Sequence, residues 1–150
     1  MILKINNTID THLQKCFGLN VSDAWRGEGK TIFLELDILH HLKKSEKRIS
    51  KGQGEVTIMF DCRWRLETLN AISVGSLDET AKIEEQIKLL IGKSIKSIFF
   101  VGRIPEIVIE FDNKRWLQSF TSYKYEDWSI MFRNTGSISR SKRDVVYKEL

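Results

Sequence analysis

Apolar positions along the chain follow two periods in turn. Ile9, Leu13, Cys16 and Phe17 fall at i, i+4, i+7 and i+8, one face of a short helix; Asn7 or Thr8 can cap its start and Gly18 can take the left-handed position after its end. A second helix is predicted from Ser76, where Ser76-Leu77-Asp78-Glu79 has the form of a capping box, through Ile83, Ile87, Leu90 and Ile91 to Gly92. After each helix the period becomes two. Ile32, Leu34, Leu36 and Ile38 alternate with Phe33, Glu35 and Asp37 after a Gly27-Glu28-Gly29 turn.

The longest alternation runs from Glu55 to Glu67. Val56, Ile58, Phe60, Cys62, Trp64 and Leu66 point one way, and Thr57, Met59, Asp61, Arg63, Arg65 and Glu67 the other. That pattern predicts one strand with a buried and a polar face. Further on, Ile95 to Val101, Glu106 to Phe111, Trp116 to Thr121 and Trp128 to Arg133 read as a four-stranded antiparallel meander, because each connection is too short for a parallel crossover. Asp112-Asn113 supplies one of its turns.

The expected fold is α+β: mostly antiparallel β-sheet with two amphipathic helices packed on it. The order of parts repeats. A helix ending in glycine, a strand, a turn and a second strand occur in residues 7–67 and again in 76–133, with Ile58-Met59-Phe60 recurring as Ile130-Met131-Phe132. The offsets are 74, 75 and 72 residues, as small insertions in an internal duplication of a helix-plus-hairpins unit would give; helix, glycine and hairpin are also standard parts of any α+β domain. The 150 residues are read as one domain. Residues 40–54, rich in Lys, Ser and Gly, read as an exposed loop, and residues 134–150 as partly flexible tail anchored by Val145, Val146 and Tyr147.

Composition narrows the class without naming an activity. The chain is 41% hydrophobic and 29% charged, an ordinary globular balance, and a chain of this length can bury about 70% of its unfolded surface. Its longest apolar runs fall far short of the roughly 20 residues of a membrane helix, so no membrane association is expected. Cys16 and Cys62 each sit inside an apolar-periodic stretch, which fits buried free thiols in a reducing compartment; the expected location is cytoplasmic. The net charge of +4 is concentrated in Lys43, Lys44, Lys47, Arg48 and Lys51 against Glu46, leaving the remainder neutral.

The motifs that would carry chemistry fail on context. Ala24-Trp25-Arg26-Gly27-Glu28-Gly29-Lys30-Thr31 is a loose phosphate-loop string, but such a loop must open a helix, and the residues after Thr31 alternate as a strand. No nucleotide is expected. His12 and Cys16 share a helix face without further ligands, and His40 and His41 are neighbours in a loop, so neither a metal nor any other cofactor is implied. Cys62 lies in the inward set, where burial suppresses thiolate chemistry. With no catalytic constellation in view, the chain is read as a non-enzyme.

Two candidate binding features remain. One is the outward row Asp61, Arg63, Arg65 and Glu67, which reads first as cross-strand charge pairing and second as a surface whose arginines fork toward a carboxylate or phosphate. The other is the basic stretch of Lys43, Lys44, Lys47 and Arg48. Trp116, Phe120 and Tyr123, if exposed, would form an anchor patch.

The run Ile95-x-x-Ile98, Ile107-x-Ile109-x-Phe111-x-Asn113, Leu117-x-x-Phe120, Trp128-x-Ile130 resembles small bacterial α+β proteins grouped with the immunity proteins of toxin systems. That resemblance implies a non-catalytic protein that neutralises a toxin by covering its active surface, with a protein partner and no catalytic residue to transfer. An inhibitor of a nuclease would be expected to be acidic, and this chain is basic. The leading expectation is therefore a protein-binding module of immunity type. The alternatives are a nucleic-acid-associated accessory protein using loop 43–51 and a small-ligand-binding protein. The sequence leaves the oligomeric state open.

Overall fold

The computed structural model describes residues 2–41 and 52–150. Lys43, Lys44, Lys47 and Arg48 lie outside the described residues, and with them the basic surface proposed for nucleic acid. The described elements run α1 (Asn7–Gln14), β1 (Val21–Arg26), β2 (Ile32–Leu36), β3 (Val56–Asp61), β4 (Trp64–Glu67), β5 (Ile72–Gly75), α2 (Thr80–Lys88), β6 (Ile95–Val101), β7 (Glu106–Phe111), β8 (Arg115–Ser119), β9 (Asp127–Phe132), β10 (Gly136–Ser141) and β11 (Asp144–Glu149). The fold is α+β, with two antiparallel sheets. One has the order β1-β2-β3-β9-β10-β11 and the other β5-β4-β8-β7-β6.

Both helices form where the apolar period places them, but their starts differ from expectation. α1 is capped by Asn6, whose Oδ1 accepts the Ile9 N–H at 2.9 Å, rather than by Asn7 or Thr8. The reciprocal capping box at Ser76 does not form. Glu79 stands at the N-cap of α2 without a side-chain bond, while the Ser76 hydroxyl accepts the Trp64 N–H at 3.1 Å and Asp78 accepts the Gly75 N–H at 2.8 Å. These two side chains satisfy the turn out of β5 instead of the helix. Gly18 and Gly92 take φ +85 and +88, as the chain turns sharply from each helix toward a strand.

The inward set from residue 56 to 67 is kept, but Thr57 of the outward set is buried as well, at 2% exposure, and the strand is not single. The chain bends at Cys62 and Arg63, so β3 lies in one sheet and β4 in the other. Val56, Ile58, Phe60, Cys62, Trp64 and Leu66 remain buried throughout, at 8% exposure or less. The inward set thus joins both layers of one core. The expected four-stranded meander also divides: β6, β7 and β8 pair in sequence, while β9 crosses to the other sheet and pairs with β3. Residues 134–150, expected to be partly tail, form the β10–β11 hairpin, with Ile138 fully buried and Val145 and Tyr147 packed against the core.

The two halves of the chain are wired alike. Val21 pairs with Leu36, the register slips by one residue, and Asp23 then pairs with Glu35; Ile95 pairs with Phe111, the register slips likewise, and Ser97 pairs with Glu110. Where the halves meet, the relation is reciprocal. Gly18 N–H donates to the Ile95 carbonyl and Gly92 N–H to the Val21 carbonyl, each at 2.8 Å, with Asn20 facing Ser94 in an antiparallel bridge between them. Each half contributes three strands to one sheet and then passes the rest to the other: β4-β5 beside β8 from the first half, and β9-β10-β11 beside β3 from the second. Within this wiring Ile58 is opposite Ile130 as its cross-strand partner. The Ile-Met-Phe match is thus a pairing between strands, and Leu117, not Ile130, holds the place of Ile58.

Candidate functional site

The outward row splits at the bend. Asp61 is exposed and accepts the Thr31 hydroxyl at 2.8 Å. Arg63 is exposed, and its backbone N–H donates to Glu126 at 2.8 Å. Arg65 and Glu67 belong to the other sheet, where the Arg65 Nε donates to Glu67 at 2.6 Å and the guanidinium lies 4.4 Å from the Phe120 ring centre. Arg65 is therefore engaged within its own strand and with Phe120, just past the end of β8. Both arginines adjoin Phe120, whose N–H donates to the Arg63 carbonyl at 2.7 Å and whose ring lies under the Arg65 guanidinium. Glu110 shares the sheet face of Arg65 and Glu67, from which Trp116 separates it, while Glu106 ties Arg140, Thr121 and Ser119 together at the start of β7.

Glu35 departs most from its sequence reading. Expected on a solvated face, it is fully buried, because three donors converge on its carboxylate: Trp25 Nε1 at 2.8 Å, the Thr57 hydroxyl at 2.5 Å and the Gly54 N–H at 3.1 Å. A carboxylate removed from water needs such partners. Gly54 reaches it only because it lacks a side chain, since a Cβ there would meet Leu36 backbone atoms at 2.5 and 2.6 Å. Trp25 is fixed from its other side by the Phe33 ring, stacked at 4.1 Å. The cluster is fully hydrogen-bonded and builds structure.

The outer face of the five-stranded sheet has a different character. Cross-strand pairing puts Phe99, Val108, Gln118 and Arg65 in one row, and Ser97, Glu110, Trp116 and Glu67 in the next. The alternate residues Ile98, Ile109, Leu117 and Leu66 face the core. Val108 is buried at 6%, while Phe99, Trp116 and Phe120 around it are half-buried. The main helix contacts are those of α2 with β1 and β5 and of α1 with β11, so among the described residues the β4, β6, β7 and β8 part of this face has little helix against it. Its charges are arranged in pairs: Arg65 with Glu67, and Lys96 with Glu110 at 3.5 Å. Beyond Phe120, the loop to β9 carries the exposed Tyr123 and Tyr125, whose rings meet edge-on at 5.3 Å. Glu126 holds that loop by accepting from Ser122 and Arg63; partial burial opposes its ionisation, but the backbone N–H groups of those two residues outweigh it and lower its pKa.

Of the expected anchors, Trp116 and Phe120 share this face. Phe99 and Val108 were missed. The signal was present, because Ile98-Phe99-Phe100-Val101 and Ile107-Val108-Ile109 are apolar at successive positions, and a strand that is apolar at both parities has an apolar outer face.

Among the described residues no group of three or more His, Cys, Asp or Glu side chains could hold a metal ion. Cys16 and Cys62 are buried free thiols; burial pushes Cys16 up to about 12 and raises Cys62 further from its ordinary value. The phosphate-loop string forms the β1–β2 hairpin, with Gly27 N–H bonded to the Thr31 carbonyl and a strand following. No described helix is long and apolar enough to cross a membrane. Comparison with known proteins finds no matching family model, curated protein or solved structure.

Proposed function

We propose that the chain is a protein-binding module that presents the outer face of its five-stranded sheet to a partner. The observation that carries this reading is the arrangement of Phe99, Trp116 and Phe120 around a buried Val108, on a part of the sheet face that has little helix against it among the described residues. Large aromatic side chains bring apolar area at small entropic cost, and they dominate the centres of protein interfaces with charged groups at the rim. Here the rim is supplied by Arg65, Glu67, Lys96 and Glu110.

The resemblance to immunity proteins covers the strands that build this face, and it gives the partner class: a bacterial toxin whose active surface is occluded. The face carries both signs of charge, which suits a partner that is not itself uniformly basic. The test is co-purification with the product of a neighbouring toxin gene, using the wild-type chain, Trp116→Ser/Phe120→Ser and, as a control away from the face, Asp61→Ala. Loss of at least tenfold in affinity in the double variant alone, with an unchanged thermal midpoint, supports the reading. Equal capture by all three proteins rules the face out.

A further inference from the structure

We propose that the groove between α2 and β1 is a second docking site, which takes an extended aliphatic segment of a partner protein onto the edge of β1. β1 and β6 hold the same place in the two halves, with the same register slip and the same reciprocal bonds at Val21 and Ile95. Counting from those residues through the matched pairings, Arg26 is to β1 what Phe100 is to β6, since each lies opposite an isoleucine, Ile32 and Ile107.

The edge of β6 is occupied by the chain's own beginning. Leu3 N–H donates to the Phe100 carbonyl at 2.8 Å, and Ile2 bridges antiparallel to Val101. The matching stretch of β1 has no such strand beside it among the described residues. In its place, between β1 and α2, is a cavity of about 210 Å³ in which the charged Asp23, Arg26, Glu84 and Lys88 stand around Ala24, Trp25, Ile87 and Ile91. At about 10–15 Å³ of such space per water, it has room for a cluster of waters or for one large aliphatic side chain. Ala24 and Ile87 form an apolar floor at 0% exposure, Ile91 stands at the mouth at 36%, and the Arg26–Glu84 pair at 2.9 Å spans one end. An incoming strand would gain main-chain bonds from β1 and bury one aliphatic side chain, the mode by which peptides extend exposed sheet edges. The sister edge shows which chemistry fits: two consecutive aliphatic residues in extended conformation. This site is separate from the Trp116 face and does not depend on it.

The probe is an acetylated peptide of the sequence of residues 1–6, the segment that the β6 edge holds, titrated into the full-length ¹⁵N-labelled protein. The expected result is saturable shifts of the Ala24, Trp25 and Arg26 amides and of Glu84 and Lys88. Affinity should fall at least tenfold in Ile91→Trp, which fills the mouth, and for a peptide with Asp at its second and third positions. Lys88→Trp serves in place of Ile91→Trp should the latter not fold. The proposal is overturned by an absence of shifts at millimolar peptide, by shifts confined to β6 and α1, or by equal binding to the blocked variant or of the Asp peptide. None of these outcomes bears on the double variant at Trp116 and Phe120.

Discussion

Trp64 and Trp128 make the same bond in the two halves of the molecule: the indole N–H of Trp64 donates to the Lys30 carbonyl at 3.0 Å, and that of Trp128 to the Pro105 carbonyl at 3.1 Å. Both rings are buried, at 2% and 0% exposure, and each sits on the strand that has just passed from one sheet into the other. Each bond ties a crossing strand to the turn before β2 or β7, so the crossings are fixed by side chains as well as by strand pairing.

Removing either donor should therefore cost similarly. Trp64→Phe and Trp128→Phe each take a donor from a carbonyl, half-buried at Lys30 and buried at Pro105, a loss of about 1–3 kcal/mol apiece. Arg140 also donates to the Pro105 carbonyl, at 3.3 Å, so Trp128→Phe loses the bond less completely but the packing more. Urea unfolding of the two variants measures this, and a change below about 0.5 kcal/mol in both, the range of an ordinary surface substitution, would contradict it.

Glu35 tests the reading of its buried cluster as structural. Glu35→Leu strands the Trp25 N–H, the Thr57 hydroxyl and the Gly54 N–H together, and the expected loss is about 3 kcal/mol or more, since each unpaired buried donor costs about 1–3 kcal/mol. Glu35→Gln keeps one acceptor oxygen and should lose less. Thermal denaturation ranks the pair, and Glu35→Leu at least as stable as wild type would show that the cluster is dispensable to the fold.

Arginine substitutions separate the two members of the outward row. Arg63→Ala removes an exposed side chain and should leave the thermal midpoint unchanged. Arg65→Ala removes a half-exposed ion pair and the contact over Phe120, together about 1 kcal/mol or less. Equal and large losses from both would mean that the row acts as one unit across the bend.

Thiol chemistry gives a pH-dependent check. Burial raises both cysteines, while an unfolded thiol titrates near about 8.5. The folded state holds its protons to higher pH, so the stability from this source is complete below about pH 8.5 and declines as pH rises above it. Native protein at pH 8 should react negligibly with a disulfide reagent, and two thiols should react in urea. Fast native labelling would place a cysteine at the surface.

Much of the fold was legible because periodicity reports burial directly. The apolar faces of Ile9 and Leu13 and of Ile83 and Ile87 are buried as their spacing implies. The crossing between sheets was not legible, because the alternation from Val56 to Leu66 runs unbroken through the bend: a strand that changes sheets while keeping its inner face toward a shared core has the same pattern as a straight one. β10 and β11 were missed because only Ile138, Val145 and Tyr147 anchor them, too few for a clear period. Glu35 was misplaced because charge usually signals solvent, and its three donors come from Trp25, Gly54 and Thr57, scattered through the sequence. The binding face was half visible in Trp116 and Phe120, but its other members came from reading an apolar run as core on both sides.

Residues 56–67 pass between the sheets, and β9 leaves the meander to pair with β3. Nuclear Overhauser contacts between backbone protons on paired strands measure this directly. The account requires cross-strand contacts linking Ile58 with Ile130 and Leu66 with Leu117. A continuous ladder joining Leu117 and Ser119 to Trp128 and Ile130 would restore the four-stranded meander and contradict it.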